Sequence, residues 1–192
     1  MTHAVRRHYD DRAPTYDDNP MHRGIAAEVA GLAADASPGG VVLDVGTGTA
    51  LVLRALPTGG RRVGIDLSPG MLARARAADP TLLLARADAT RLPLPDASVD
   101  VVTCVTVLHL LPDPAAALAE WRRVLRPGGV AFTATFVAAG APGPRQDFPR
   151  DHDSFRTPEL LGARAEAAGL RLTASHRSDH GLDTLLVCRL ER

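Results

Sequence analysis

The most constraining stretch of this sequence is residues 41–50, an apolar run that ends in an acid and two glycines. Val41 to Val45 is rich in β-branched residues and shows no polar alternation, which predicts a strand buried on both faces. Gly46 and Gly48 follow at once, and glycine lets the backbone turn tightly and lets a ligand lie against it. The stretch therefore predicts a buried strand whose end, beside Asp44, holds a small polar molecule.

Strand and helix signals alternate along the chain. Strand-like runs cover residues 41–45, 62–66, 81–87, 99–107 and 130–137, and helix-like segments cover 22–34, 49–56, 68–78, 113–125 and 157–169. Two closing runs, 170–175 and 183–190, are joined through His180 and Gly181, which predicts an antiparallel pair at a sheet edge. The order predicts an α/β fold, a three-layer sandwich around a mostly parallel seven-stranded sheet.

Charge and composition exclude several classes of function. The formal net charge is zero, so no basic field favours a nucleic-acid partner. The 22 cationic side chains are all arginine, so a Schiff-base lysine and a phosphate-binding lysine are both excluded.

The cysteines and the hydrophobic pattern indicate where the protein resides. Cys104 and Cys188 lie in apolar runs and form neither a disulfide framework nor a metal cluster, so we expect buried free thiols, no metal and a cytoplasmic location. The N-terminus lacks the apolar core of a signal peptide. No apolar run approaches the roughly 20 residues that a membrane span needs.

Acids end successive predicted strands at Asp44, Asp66 and Asp88. Asp66 follows Asp44 by 22 residues, close to the spacing of about 20 at which an acid on the second strand binds a ribose diol. A nicotinamide dinucleotide is disfavoured because Leu51 occupies the position of the third glycine of its fingerprint. Asp44 would also repel a pyrophosphate and attract an ammonium or sulfonium group, which favours a nucleoside with a cationic tail.

Four motifs in this order resemble class I S-adenosylmethionine-dependent methyltransferases, and most of all their small-molecule and quinone-type branch. The motifs lie at 42–49, 64–72, 87–100 and 125–129, and residues 9–17 resemble the segment that closes over the cofactor in that family. Position 50 departs from the pattern, because Ala50 replaces the last glycine of the first motif. The resemblance implies a Rossmann-like fold and S-adenosylmethionine as cofactor.

The resemblance also implies roles for individual residues. Gly46, Thr47 and Gly48 would lie beneath the methionine part and the ribose, and Asp44 near the amino group. Asp66 would bind the ribose diol. The remaining implied cofactor contacts are Leu67 and Met71 at the adenine, Asp88 and Ala89 at its amino group, Cys104 and Val105 near the methionine, and Tyr9 and Tyr16 as the cover.

The chain also suggests a domain plan and an acceptor site. Residues 1–192 would form one methyltransferase domain, with either a lid or a flexible tail over 1–20, a cofactor-binding core over 41–137 and a substrate-side loop over 138–156. His109 is the candidate general base, because it follows the fourth strand and an ordinary imidazole titrates near neutral pH; the alternative is that it only packs the turn between strand and helix. His152 is a weaker candidate, and Arg145 and Arg150 would suit an anionic substrate.

The predicted reaction moves a methyl group to an oxygen, nitrogen or carbon nucleophile of a small molecule. We expect a monomer or homodimer that binds no nucleic acid. Two other readings stay open at this point. The chain could be a non-catalytic S-adenosylmethionine-binding module or partner subunit, or, with less support, an NAD(P)-dependent oxidoreductase.

Overall fold

The computed structural model describes residues 3–138, 148 and 150–192, and a seven-stranded sheet forms its centre. The strands are β1 (Val41–Val45), β2 (Arg61–Asp66), β3 (Leu83–Arg86), β4 (Val99–Val105), β5 (Leu125–Ala138), β6 (Arg171–His180) and β7 (Asp183–Glu191). Their order is β3-β2-β1-β4-β5-β7-β6, and β7 runs antiparallel to both of its neighbours. The predicted fold class is confirmed.

Helices cover both faces of the sheet. They are α1 (His3–Arg12), α2 (Pro20–Ala36), α3 (Leu51–Ala55), α4 (Pro69–Ala78), α5 (Pro114–Val124) and α6 (Pro158–Ala167). Val42 faces a core shared with α2 and α3, whereas Leu43 and Val45 face a core shared with α5 and α6. Successive strand residues point to opposite faces, so the apolar residues of β1 contribute to both cores. Trp121 of α5 is fully buried in the second core.

Side-chain caps begin the helices where the sequence predicts them. The Ser68 hydroxyl accepts a hydrogen bond from the Met71 amide at 3.0 Å, and Pro69 occupies the first position of α4. Asp113 caps α5 in the same way through the Ala116 amide at 2.9 Å. These caps fix the helix starts at the carboxyl ends of β2 and β4, where ligands bind in sheets of this kind.

Several element boundaries differ from the sequence-based expectation. Residues 3–12 form the helix α1, although the segment is polar and predicts no helix; tertiary contacts described below hold it. β3 is shorter than expected, and β5 begins at Leu125 with an irregular register against β4 between Val99 and Val101. Residues 139–147 and 149, which include Arg145 and most of the predicted substrate-side loop, lie outside the described residues.

Two further expectations are met in the described part of the chain. Cys104 and Cys188 are both free and buried. None of the described helices combines the length and the apolar character that crossing a bilayer requires.

Candidate active site

The turn after β1 is built from left-handed backbone conformations. Gly46 has φ +71° and Gly48 has φ +56°, values that favour glycine. A Cβ on Gly46 would lie 2.5 Å from a Val107 methyl carbon, so no larger residue fits there. Ala50 also adopts φ +65°, the conformation that the usual glycine would take without strain. The turn therefore keeps the shape that the first motif predicts despite the alanine.

Asp66 fastens this turn to the end of β2. Its Oδ2 accepts a hydrogen bond from the Gly48 amide at 2.9 Å, and its Oδ1 accepts one from the Ser68 amide at 2.8 Å. Only 9% of the residue is exposed, and burial raises the pKa of its carboxyl group against the lowering effect of these amides. Each carboxylate oxygen retains a further lone pair, so Asp66 can still accept from two vicinal hydroxyls.

A first cleft of about 420 Å³ lies between α1, the glycine turn and the start of α4. Seven of the predicted cofactor residues line it, namely Tyr9, Tyr16, Gly46, Gly48, Asp66, Met71 and Val105. Arg6, Ser68, Thr106, Val107 and Leu110 complete its lining.

A second cleft of about 390 Å³ continues from the first along the glycine turn toward α2. The two clefts share Tyr16, Gly46, Gly48, Val105 and Thr106. The second cleft adds the predicted residues Asp44 and Thr47, together with His22 and Thr49. The glycine turn thus forms a common floor for one elongated, two-part site.

Asp44 is a buried acid at the edge of the second cleft. Its Oδ1 accepts a hydrogen bond from the Thr103 hydroxyl at 2.7 Å. Burial raises the pKa of Asp44 to about 6, and the nearby Thr103 and Thr47 hydroxyls limit the rise. The carboxyl group can therefore charge near neutral pH, and a cationic ligand beside it would favour that charged form.

The N-terminal segment lines both clefts through Tyr9 and Tyr16, and two of its aspartates hold it against the core. Asp10 accepts hydrogen bonds from the Ser68 hydroxyl at 2.6 Å and the Gly70 amide at 3.0 Å. Asp17 accepts from the Thr49 hydroxyl and from Arg54, the latter at 2.7 Å. These two aspartates place Tyr9 and Tyr16 over the glycine turn.

Five predicted residues line neither cleft, namely Leu67, Asp88, Ala89, Cys104 and His109. Asp88 Oδ1 instead accepts hydrogen bonds from the amide and hydroxyl of Thr90, at 2.9 and 2.8 Å. Cys104 is fully buried in β4, and burial raises the pKa of its thiol. Their roles toward the cofactor stay predictions.

His109 belongs to an aromatic group beyond β4. Its ring stacks on His152 with centroids 4.2 Å apart, and both rings meet Phe136 edge-on. His109 is only 5% exposed, and burial followed by the neighbouring His152 lowers its pKa to about 3. The Nδ1 atoms of both histidines are buried, and no described residue offers either of them a hydrogen-bond partner. His109 is therefore neutral at physiological pH, and its role as a base stays a prediction.

Sequence reasoning missed several cleft residues. Arg6 lies on the unpredicted helix α1, where its guanidinium donates to Asp10 at 2.9 Å. Thr106 has φ +57°, which is unusual for a β-branched residue. His22 stacks on Tyr16 at 4.0 Å between ring centroids. The composition of these segments carries no signal for such placements, because tertiary contacts create them.

Comparison with known proteins fits this geometry. Residues 43–133 match the family model described as a methyltransferase domain. The ubiquinone biosynthesis O-methyltransferase of Pseudomonas paraeruginosa is 34% identical over 180 residues, which cover 83% of this chain and 74% of that protein. The malonyl-[acyl-carrier protein] O-methyltransferase of Serratia marcescens is 38% identical over 139 residues, covering 70% of this chain and 53% of that protein.

A solved structure agrees over nearly the whole chain. It belongs to the complex between the Haloferax volcanii Trm112 methyltransferase activator and a methyltransferase, with a TM-score of 0.77, 24% identity and coverage of 97% of this chain and 96% of that one. At this identity the likeness shows the fold.

The Rossmann-like fold and the site at the glycine turn are those of a protein that binds a nucleoside cofactor. The chain belongs to the S-adenosylmethionine-dependent methyltransferases, and S-adenosylmethionine is its cofactor. The oxidoreductase alternative is thereby set aside.

Proposed function

We propose that this methyltransferase acts on a small-molecule acceptor and methylates it at a hydroxyl oxygen. The observation that carries this proposal is the stacked pair beyond β4 of buried His109 and half-buried His152, whose buried Nδ1 atoms have no hydrogen-bond partner among the described residues. A neutral imidazole nitrogen can accept a hydrogen bond from a hydroxyl group. The names of two relatives, both O-methyltransferases, support the same kind of acceptor atom.

The residues that line the clefts suit the cofactor. When bound, S-adenosylmethionine supplies a reactive methyl group. Asp66 would bind the ribose diol, Asp44 the amino group, and Tyr9 with Tyr16 would exclude water. Further contacts proposed from the family pattern are Gly46, Thr47 and Gly48 beneath the cofactor, Leu67, Met71, Asp88 and Ala89 around the adenine, and Cys104 with Val105 at the methionine part.

The protein would speed the reaction mainly by aligning the two reactants and by excluding water from the site, and less by acid–base catalysis. Positioning of two reactants can supply about 7–11 kcal/mol of a barrier. His109 and His152 would orient the acceptor hydroxyl and receive its proton as the oxygen gains the methyl group. A strong base is not needed in the resting protein, because the hydroxyl proton becomes much more acidic as the new bond forms.

The test is methyl transfer from isotopically labelled S-adenosylmethionine to a panel of hydroxyarenes, amines and carbon nucleophiles. We expect labelled methyl ethers, and a fall in kcat of about 100-fold, within the usual range for proton-transfer groups, when both histidines are replaced by phenylalanine. Amine or carbon products alone would overturn the choice of oxygen. Cofactor binding with no transfer to any acceptor would favour the non-catalytic module.

We further propose that residues 1–192 act as one domain, with a lid over 1–20, in a monomer or homodimer in the cytoplasm. Two buried free thiols and a formal net charge of zero support a reducing compartment and the absence of a nucleic-acid partner. Light scattering on the purified protein measures the mass of the particle, and a mass above that of a dimer would contradict the proposal.

A further inference from the structure

The second cleft contains a histidine for which the family pattern gives no role, beside the Thr47 side chain that the pattern places beneath the cofactor. His22 lies in the first turn of α2 and forms part of the cleft wall. The Thr47 hydroxyl is buried there close to the Asp44 carboxyl group, yet no described residue meets it with hydrogen-bond geometry, and the residue is only 6% exposed. A buried, unpartnered hydroxyl in a cleft indicates that a polar ligand group completes it.

The shape of the site indicates which part of the cofactor reaches this cleft. Asp66 lies in the first cleft, where it is proposed to bind the ribose, and the floor shared at Gly46 and Gly48 leads from there into the second cleft. A nucleoside bound at Asp66 would therefore extend its amino-acid tail toward α2. That tail carries an ammonium and a carboxylate, and Asp44 provides the opposite charge for the ammonium.

The carboxylate requires a donor, and His22 is suited to be one. Of the described residues that line the second cleft, His22 alone has a side-chain nitrogen that can carry a positive charge. Its Nδ1 lies 3.0 Å from the Tyr16 carbonyl oxygen. A carbonyl only accepts, so Nδ1 carries a hydrogen and Nε2 is the atom left for a ligand.

We propose that His22 binds the α-carboxylate of S-adenosylmethionine and makes the second cleft selective for ligands with an amino-acid tail. This inference rests on the proposed cofactor position in the two clefts. It assigns to His22 a contact with the ligand itself, in addition to its stacking on Tyr16.

Binding through Nε2 couples cofactor affinity to a proton. Burial lowers the pKa of His22 in the free protein; Arg12 on α1 lowers it further, whereas Asp17 and Asp183 oppose the shift. A bound carboxylate would raise this pKa. Binding therefore takes up a proton at pH values between the pKa of His22 in the free protein and its pKa in the complex. Affinity for a tail-bearing ligand should therefore fall as pH rises through that window, by at most tenfold per pH unit.

The experiment compares two ligands by calorimetry between pH 6 and 8. S-adenosylhomocysteine carries the amino-acid tail, whereas 5′-methylthioadenosine lacks it. His22→Phe keeps a ring against Tyr16 and should weaken S-adenosylhomocysteine binding about tenfold, the loss expected for a hydrogen bond to a charged group, while changing 5′-methylthioadenosine binding less than about twofold. His22→Gln should abolish the proton uptake and should weaken S-adenosylhomocysteine binding less than His22→Phe does. His176→Phe, at an exposed histidine on β6, is the matched control.

Two results would overturn this assignment. Equal losses for both ligands would mean that His22 only supports Tyr16, and an unchanged affinity for S-adenosylhomocysteine would mean that His22 does not touch the tail. Failure of the unmodified protein to bind S-adenosylhomocysteine would instead reject the cofactor position on which the inference rests.

Discussion

Ala50 adopts a left-handed backbone conformation that alanine by itself disfavours. The residue is fully buried and left-handed, with φ +65°. Its amide donates to the Thr47 carbonyl oxygen at 2.8 Å, and its carbonyl accepts from the Arg54 amide at 2.9 Å. The turn and the start of α3 thus impose the conformation, at a strain of about 1–2 kcal/mol.

We predict that Ala50→Gly raises the free energy of unfolding by up to about 1 kcal/mol. Relief of strain outweighs the greater entropy of glycine in the unfolded chain, which opposes it by roughly 0.4–1 kcal/mol. Ala27→Gly, at an exposed position inside α2, should lower stability by about 1 kcal/mol. Urea unfolding measures both changes, and equal losses in the two variants would contradict strain at Ala50.

Helix α1 shows why one element escaped prediction while its neighbours did not. Val5 is its one buried residue, so the segment lacks the apolar stripe that identifies a helix from sequence. Its position depends on Asp10, whose contacts with α4 are 58 and 60 residues distant in sequence. Helices α4 and α5 were predictable because Ser68 and Asp113 act locally on the next turn of the chain.

The attachment of α1 to α4 depends on a small residue. A Cβ on Gly70 would lie 3.1–3.2 Å from the side chain and backbone of Asp10. We predict that Gly70→Ala displaces α1 and speeds dissociation of S-adenosylhomocysteine about tenfold, because Tyr9 and Tyr16 no longer close over it. Stopped-flow dissociation measures this rate.

The control for this prediction is Gly31→Ala in α2, where an added Cβ meets nothing within 4 Å. It should leave the dissociation rate unchanged and stabilise the protein by up to about 1 kcal/mol. Equal dissociation rates for Gly70→Ala and the unmodified protein would show that α1 does not retain the ligand.

At the scale of the whole molecule, topology explains how much of the site the sequence could predict. Asp44 and Asp66 end adjacent parallel strands, so their meeting at one sheet edge follows from strand order alone. Asp88 follows the third strand by two residues, but its carboxylate accepts hydrogen bonds from Thr90. The wall formed by His22 and the left-handed Thr106 could not be predicted, because each depends on contacts between distant elements.

Two buried groups should give the stability a pH dependence with opposing signs. The pKa of His109 is lowered to about 3, so the unfolded chain binds that proton first and stability falls as pH drops below about 6.5. The pKa of Asp44 is raised from 3.8 to about 6, so the folded state binds that proton first and stability rises as pH drops from about 6 toward 3.8.

We predict that His109→Phe removes the loss of stability at acidic pH that the buried histidine causes. Between pH 7 and pH 4 the unmodified protein should lose on the order of 3 kcal/mol more stability than the variant, since one pKa unit corresponds to about 1.4 kcal/mol. Urea unfolding at several pH values gives the difference. Parallel curves for the two proteins would contradict a neutral, buried His109.

The central claim is that Asp66 holds the cofactor in a two-part cleft along the glycine turn, and calorimetric titration of S-adenosylhomocysteine into Asp66→Asn tests it most directly. The unmodified protein should bind one equivalent, and the variant about 100-fold more weakly, because the amide is uncharged and can accept through only one of its two polar atoms. Asp113→Asn, at the cap of α5, should bind as the unmodified protein does. Unchanged affinity in the folded Asp66→Asn variant would contradict the account.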